Sequence, residues 1–182
     1  MLPLGASEAL IFKNIQKNYR QKIRAAEAQL NIRHDLPLTE LHRLVGSSFE
    51  RQGLEPPIDF SFLQNLYNTL AEQGCCKLFF ATDPTTNAVH SAALMVWDRS
   101  SSYYLMSGDD PDFRASGAAV LLKWAAIQYT KNVLNLPVFD FEGSMIRGVE
   151  QGRRDFGAQQ QPYFRVRREW SVLWKWGKFL RQ

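Results

Sequence analysis

The chain has 182 residues, 45% of them hydrophobic and 22% charged, which excludes a disordered segment and gives one domain with a sizeable core, or one plus an appendage. Its longest purely apolar runs, such as "AALMVW", fall far short of the ~20 residues needed to cross a bilayer. A net charge of +4, from 22 basic and 18 acidic residues, admits an anionic ligand without demanding nucleic acid.

The first stretch, "MLPLGASEALIF", has no basic residue ahead of its apolar part, so no secretory leader is expected there. Residues 7–29 read as one amphipathic helix. Ile15, Tyr19, Ile23, Ala26 and Leu30 recur by threes and fours, and Lys13, Lys17, Arg20, Lys22 and Arg24 occupy the other face. A short strand is expected at residues 31–34. Leu38, Leu41, Leu44, Val45 and Phe49 give a second helix, stopped by Gly53 and Pro56-Pro57. Ser61 with Gln64 has capping-box spacing and opens a third helix through Leu63, Leu66, Tyr67 and Leu70.

After Gly74 the period changes to that of strands. "KLFFATD", "AVHSAALMVWD" and "SSYYLMSG" are short, rich in aromatic and branched residues and separated by turn residues, which predicts three antiparallel strands. "RASGAAVLLKWAAIQYTKNV" is a helix apolar enough to be covered on both sides. "VFDFE" is a fourth strong strand, "MIRGVEQGRRDF" a helix, "QPYFRVRRE" a final strand and "WSVLWKWGKFLRQ" a closing helix. No internal repeat or low-complexity segment is visible. Strands and helices in this order make an α+β, layered α/β domain.

Four segments carry candidate chemistry. In "SGDDPDFRASGAA", Arg114, Gly117 and Ala119 form R-x-x-G-x-A at a helix start. There free N–H groups and the helix dipole make an anion cradle, and Arg114 adds bidentate phosphate contacts. The alternative is an ordinary capped helix, and Asp109, Asp110 and Asp112 favour an anion only if they point away. In "VFDFE", alternation sets Phe139 and Phe141 on one face and Asp140 and Glu142 on the other. A carboxylate desolvated by aromatics is a general base; equally, Arg147, Arg153 or Arg154 neutralises it. Tyr163 in "PYFRV" is either a proton donor to a leaving group or half-buried packing. In the tail, Lys175, Lys178 and Arg181 share a sector beside Trp170, Leu173, Trp176, Phe179 and Leu180, a pattern suited to packing against a neighbour or to an anionic lipid interface.

Other chemistries lack their residues. His34, His42 and His90 are scattered without ligand spacing and read as structural, so no metal is expected. No G-x-S-x-G is present. Cys75 and Cys76 are adjacent, too close at ~3.8 Å between α-carbons for an unstrained disulfide, which points to a reducing cytoplasm.

The combination resembles the GNAT acyltransferase fold, with a central mixed, mostly antiparallel sheet flanked by helices. Within that superfamily it is similar to the Fem-type branch, the FemAB-like or BioF2-like acetyltransferases related to peptidoglycan aminoacyltransferases. The residues that carry the resemblance are "YYLMSGDDPDFRASGAAVLLKWAAIQY", "FDFEGSM" and "RDFGAQQQPYFRV", with "NYRQKIRAAE" upstream as the basic helix that precedes such domains. The likeness runs from about Asn18 to Val166 and resembles only the second half of a two-domain Fem protein.

The resemblance implies transfer of an acyl or aminoacyl group to an amine. It assigns the pyrophosphate of an acyl-coenzyme A, acetyl-CoA in the first instance, to Arg114, Gly117, Ala118 and Ala119. The acyl carbonyl falls to the backbone around Met106 to Gly108. Asp140 and Glu142 become candidate bases, and Arg147, Arg153 and Arg154 anchors for an anionic acceptor. Aminoacyl-tRNA is the alternative donor. The expected organisation is a basic helix over 1–30, the acyltransferase domain over 31–169 and a Trp-rich helix over 170–182. The expected acceptor is an amine-bearing small molecule or cell-envelope precursor, met in the cytoplasm or at the inner membrane face. Two other readings follow from the residues: a non-catalytic half that docks a second GNAT-like domain or pairs as a homodimer, and a peripheral module bound to anionic membrane or tRNA through the basic helix and tail.

Overall fold

In the computed structural model of the protein, residues 1–50, 53, 58–143, 147–162 and 166 are described, Arg147 by its backbone only. The described strands form one six-stranded sheet in the order β1-β6-β5-β4-β3-β2. Its centre is the predicted meander: β3 Cys76–Thr82, β4 Val89–Trp97 and β5 Ser101–Asp109, antiparallel throughout. The edge strand β2, Asn31–Arg33, pairs antiparallel with β3, and β6, Val138–Asp140, runs parallel to β5. The sheet is therefore mixed but mostly antiparallel, as the resemblance implied.

Helices cover both faces. On one lie α1 Glu8–Asn14, α2 Lys17–Glu27 and α5 Ala118–Asn132, over a core that includes Ile23, Phe79, Met95, Leu122 and Phe139. On the other, α3 Leu38–Glu50 and α4 Phe60–Glu72 bury Leu41, Leu44 and Leu63 against Phe80 and Leu94. Leu94 and Met95 thus serve opposite faces, as strand alternation requires. The last described helix, α6 Arg147–Arg154, follows β6.

Four local readings need correction. The single helix over residues 7–29 is two, because Ile15 is extended and drives its side chain into the core at 1% exposure. That break frees the Gln16 N–H to donate to the Asp155 carbonyl at 2.7 Å, tying the N-terminal helices to the segment after α6. A first strand, β1 Leu2–Pro3, goes unforeseen; two residues carry no period, and only pairing with Val138 and Phe139 makes them a strand. The cap of α4 is Asp59 rather than Ser61: its carboxylate accepts the Phe62 N–H at 2.8 Å and the Ser61 hydroxyl at 2.7 Å. Finally, β6 ends at Asp140 instead of running through "VFDFE", since Glu142 has a left-handed φ of 55°. The final strand and the Trp-rich helix read from "QPYFRVRRE" and "WSVLWKWGKFLRQ" fall almost wholly outside the described residues.

Candidate active-site cleft

The site arises where two parallel strands part. β5 and β6 pair at Ser101–Val138, Ser102–Phe139 and Tyr103–Asp140, and the ladder stops there. Beyond it β5 carries a bulge: Met95 faces Tyr104 and Leu94 faces Met106, so Leu105 is an extra residue that turns the strand. From Tyr104 onward β5 has only β4 paired beside it among the described residues, and a cleft of about 560 Å³ opens between it and the chain after β6. Tyr104, Met106 and Ser107 form one wall, Phe141, Glu142 and Arg153 the other, with Val120 and Lys123 of α5 also lining it.

The far wall is held by aromatic packing. Phe139 meets Phe141 edge-on at 4.8 Å, Phe141 meets Phe156 at 5.6 Å, and Phe156 meets Tyr19 of α2 at 5.5 Å. This explains the phenylalanines of "FDF" and "RDFG": Phe156, 1% exposed, plugs the core and fixes α6 beside the cleft. Arg153 donates from Nη1 to the Glu142 carbonyl at 2.5 Å, and the Glu142 N–H donates to Asp140 Oδ1 at 2.8 Å. These two bonds pin the left-handed backbone of Glu142.

Burial pushes the Glu142 carboxyl above the usual carboxylate range; the Asp140 charge adds to this and Arg153 opposes it. Arg153 is itself pulled down by desolvation, against the pull of Glu142 and Asp140. Across the cleft, burial lowers the Lys123 ammonium, which Asp109 partly counters. That ammonium donates to the Ala119 carbonyl at 3.2 Å and lies 5.5 Å from the Tyr104 ring centroid. A carboxyl whose pKa is raised by burial and a desolvated lysine thus face one apolar slot. A second space of about 870 Å³ lies beyond the shared wall of Phe141, Glu142 and Arg153, with Asp140 and Arg154 on its lining.

The sequence-derived candidates divide. Met106, Glu142 and Arg153 meet at the cleft, and Asp140 sits behind its wall. Gly108 does not face it, being pressed against the backbone of Leu44. Arg114 is exposed on a 3₁₀ turn, Pro111–Ser116, that Phe113 fastens to the sheet by stacking on His90 at 3.9 Å. Gly117 is left-handed at φ 77° and caps α5, Ala118 is buried with its N–H donating to the Ser116 hydroxyl, and Ala119 is half-buried. Asp109 and Asp110 are engaged elsewhere, by the Ser91 hydroxyl and Arg43 respectively. Arg154 pairs with Glu150 within α6. The Arg147 side chain and Tyr163 lie outside the described residues.

Sequence reasoning missed Lys123, Tyr104 and Tyr19. A lone lysine inside "AAVLLKWAAIQY" was the available signal for the first, since an ammonium in a helix covered on both sides needs a polar reason. The basic first helix also proves close to the anion-cradle motif: a Cβ on Gly117 would lie 3.1 Å from the Lys22 carbonyl and 3.4 Å from Ala26 Cβ. The residues fit a thin acyl donor, because a slot between parting strands is lined by a desolvated lysine and by a buried phenol whose O–H finds no acceptor among the described residues.

The comparisons with known proteins agree with this architecture. The fold is similar to that of FemX, with a TM-score of 0.76 at 16% identity over 85% of this chain and 57% of that one. It is also similar to an acetyltransferase from Clostridium acetobutylicum solved with acetyl-CoA, at TM-score 0.56 and 17% identity over 76% and 96% of the two chains. A GNAT family acetyltransferase from Staphylococcus aureus aligns at TM-score 0.50 and 12% identity over 78% and 99%. These identities establish likeness of fold, and the chain spans only 57% of the FemX chain. No curated protein matches the sequence significantly. The acetyltransferase (GNAT) domain profile matches residues 13–165, and the chain belongs to that family.

Proposed function

We propose that the protein is a Fem-like N-acyltransferase that moves an acyl or aminoacyl group onto an amine of a cell-envelope or polysaccharide-related acceptor. The observation that carries this is the cleft at the β5–β6 divergence, where a desolvated Glu142 carboxylate faces Lys123 across an apolar slot. Glu142 takes the proton from the attacking amine, with Asp140 behind it raising its basicity. Arg114, Gly117, Ala118 and Ala119 receive the donor's phosphates at the start of α5, and Met106 lies along the acyl group. Arg153 anchors an anionic acceptor, with Arg147 and Arg154 beside it in sequence, and Tyr163 protonates the leaving group. Acyl-CoA supplies an activated thioester carbonyl when bound; acetyl-CoA accompanies the Clostridium structure. Positioning and proton removal then suffice, without a protein nucleophile.

Calorimetric titration with acetyl-CoA, on the wild type and on Arg114→Ala, tests the proposal. Micromolar binding that weakens at least tenfold in the variant supports it. No binding at millimolar acetyl-CoA rules out a self-sufficient thioester-dependent enzyme.

A second reading has one specific observation behind it, the partial coverage of FemX. In it this chain is one half of an aminoacyl-tRNA-dependent enzyme that docks a second GNAT-like domain or a second copy. No described helix is long and apolar enough to cross a membrane.

A further inference from the structure

Tyr104 carries a hydroxyl that the fold itself does not use. The residue is 7% exposed, and its oxygen meets no hydrogen-bond partner among the described residues. The Ser107 hydroxyl acts on it as a hydrogen-bond donor would, favouring the phenolate, and so leaves the phenol's own O–H without an acceptor. Phenylalanine would fill the same space without burying an unmatched O–H, so the hydroxyl is a burden unless something else accepts from it.

Its position says what that is. Tyr104 is the first residue of β5 past the β6 ladder, immediately before the bulge, and its side chain lines the cleft where the strands part. Lys123 lies over its ring and Phe139 packs beside it at 6.2 Å, so the ring is held on both sides. Burial drives the phenol far above its ordinary value, so it keeps its proton and has an O–H to donate.

We infer that Tyr104 donates a hydrogen bond to the acyl carbonyl oxygen of the bound thioester and holds that oxygen as it becomes an oxyanion. This rests on the acyl-transfer reading above. As the amine nitrogen bonds to the carbonyl carbon, the C=O π pair moves onto oxygen and the Tyr104 O–H shortens toward it, its proton staying on the phenol. The nitrogen gives one proton to Glu142. The π bond then re-forms, the C–S bond breaks with its pair leaving on sulfur, and the thiolate takes up a proton to leave as thiol.

Acetyl-CoA and free CoA differ by this carbonyl group, so their relative affinity isolates the contact. Calorimetry on the wild type should show a preference for acetyl-CoA of roughly two- to tenfold, the worth of one neutral hydrogen bond. Tyr104→Phe should abolish the preference, leave CoA affinity within twofold, and melt at the same temperature or higher. A variant that keeps the preference, or melts lower, overturns the assignment while the acyl-transfer reading stands. Binding of neither ligand by the wild type sinks the thioester reading and the assignment together.

Discussion

Gly108 lies flat against the backbone of Leu44: a Cβ there would stand 2.2 Å from the Leu44 carbonyl carbon and 2.3 Å from the Val45 nitrogen. α3 crosses β5 at this contact, and neither main chain has a flexible side chain to move aside. Gly108→Ala should therefore cost about 3 kcal/mol or prevent folding, at the upper end of overpacking penalties. Urea unfolding reads it directly. Loss of acetyl-CoA binding with unchanged stability would instead return Gly108 to a ligand-facing role.

Glu142 combines a raised pKa with a strained backbone. A base must shed its proton first, so the wild-type rate should climb with pH to a plateau that begins above the ordinary glutamate range. Glu142→Gln should lose that limb and about a hundredfold in rate. The sign for stability is opposite. A carboxyl whose folded pKa is raised favours folding at low pH, and that contribution fades as pH rises through the unfolded and then the folded value. At neutral pH the glutamine variant should therefore melt no lower than the wild type, and Glu142→Gly, which also relieves a left-handed strain of about 1 kcal/mol, should melt higher.

Arg153 holds the Glu142 carbonyl and lowers the Glu142 pKa through its charge. Arg153→Ala should cost about 1–3 kcal/mol for the carbonyl left partly buried and unpaired. It should also move the rising limb of the rate profile to higher pH. Thermal melts and a pH–rate series separate the two effects.

Glu8 ties the N-terminal helix to the far end of α5. It accepts from Asn132 at 2.6 Å and Gln128 at 2.8 Å, and these bonds hold its carboxyl below the ordinary 4.5. The stability it supplies is complete above the unfolded pKa and is lost as pH falls through the lower folded one. Because the group is largely solvated, Glu8→Ala should cost only about 1 kcal/mol at pH 7. The melting curves of variant and wild type should converge in acid, well below pH 4.5.

What was legible in the sequence was what repeats with a period. The short runs rich in aromatic and branched residues, "KLFFAT" and "HSAALMVW", bounded by turn residues, predicted strands, and the apolar continuity of "AAVLLKWAAI" announced a helix packed on both sides. "FDF" placed the acidic strand, and the aromatic neighbours of Glu142 singled out a residue that lines the cleft. Single-residue events were not legible. The break at Ile15 depends on a carbonyl from Asp155, 140 positions away, and the cap at Asp59 rather than Ser61 depends on which oxygen reaches the Phe62 N–H.

The sequence by itself determined the strands of the central meander and the helices that flank them, because burying one face of each element is a local demand written in its residue pattern. Only the tertiary structure decided where the candidate cleft lies. The parting of β5 from β6, the bulge at Leu105 and the meeting of Tyr104, Lys123, Glu142 and Arg153 join residues from 104 to 153. No local pattern encodes that meeting, since desolvation and hydrogen-bond partnership are fixed by what packs around a group rather than by its neighbours in the chain.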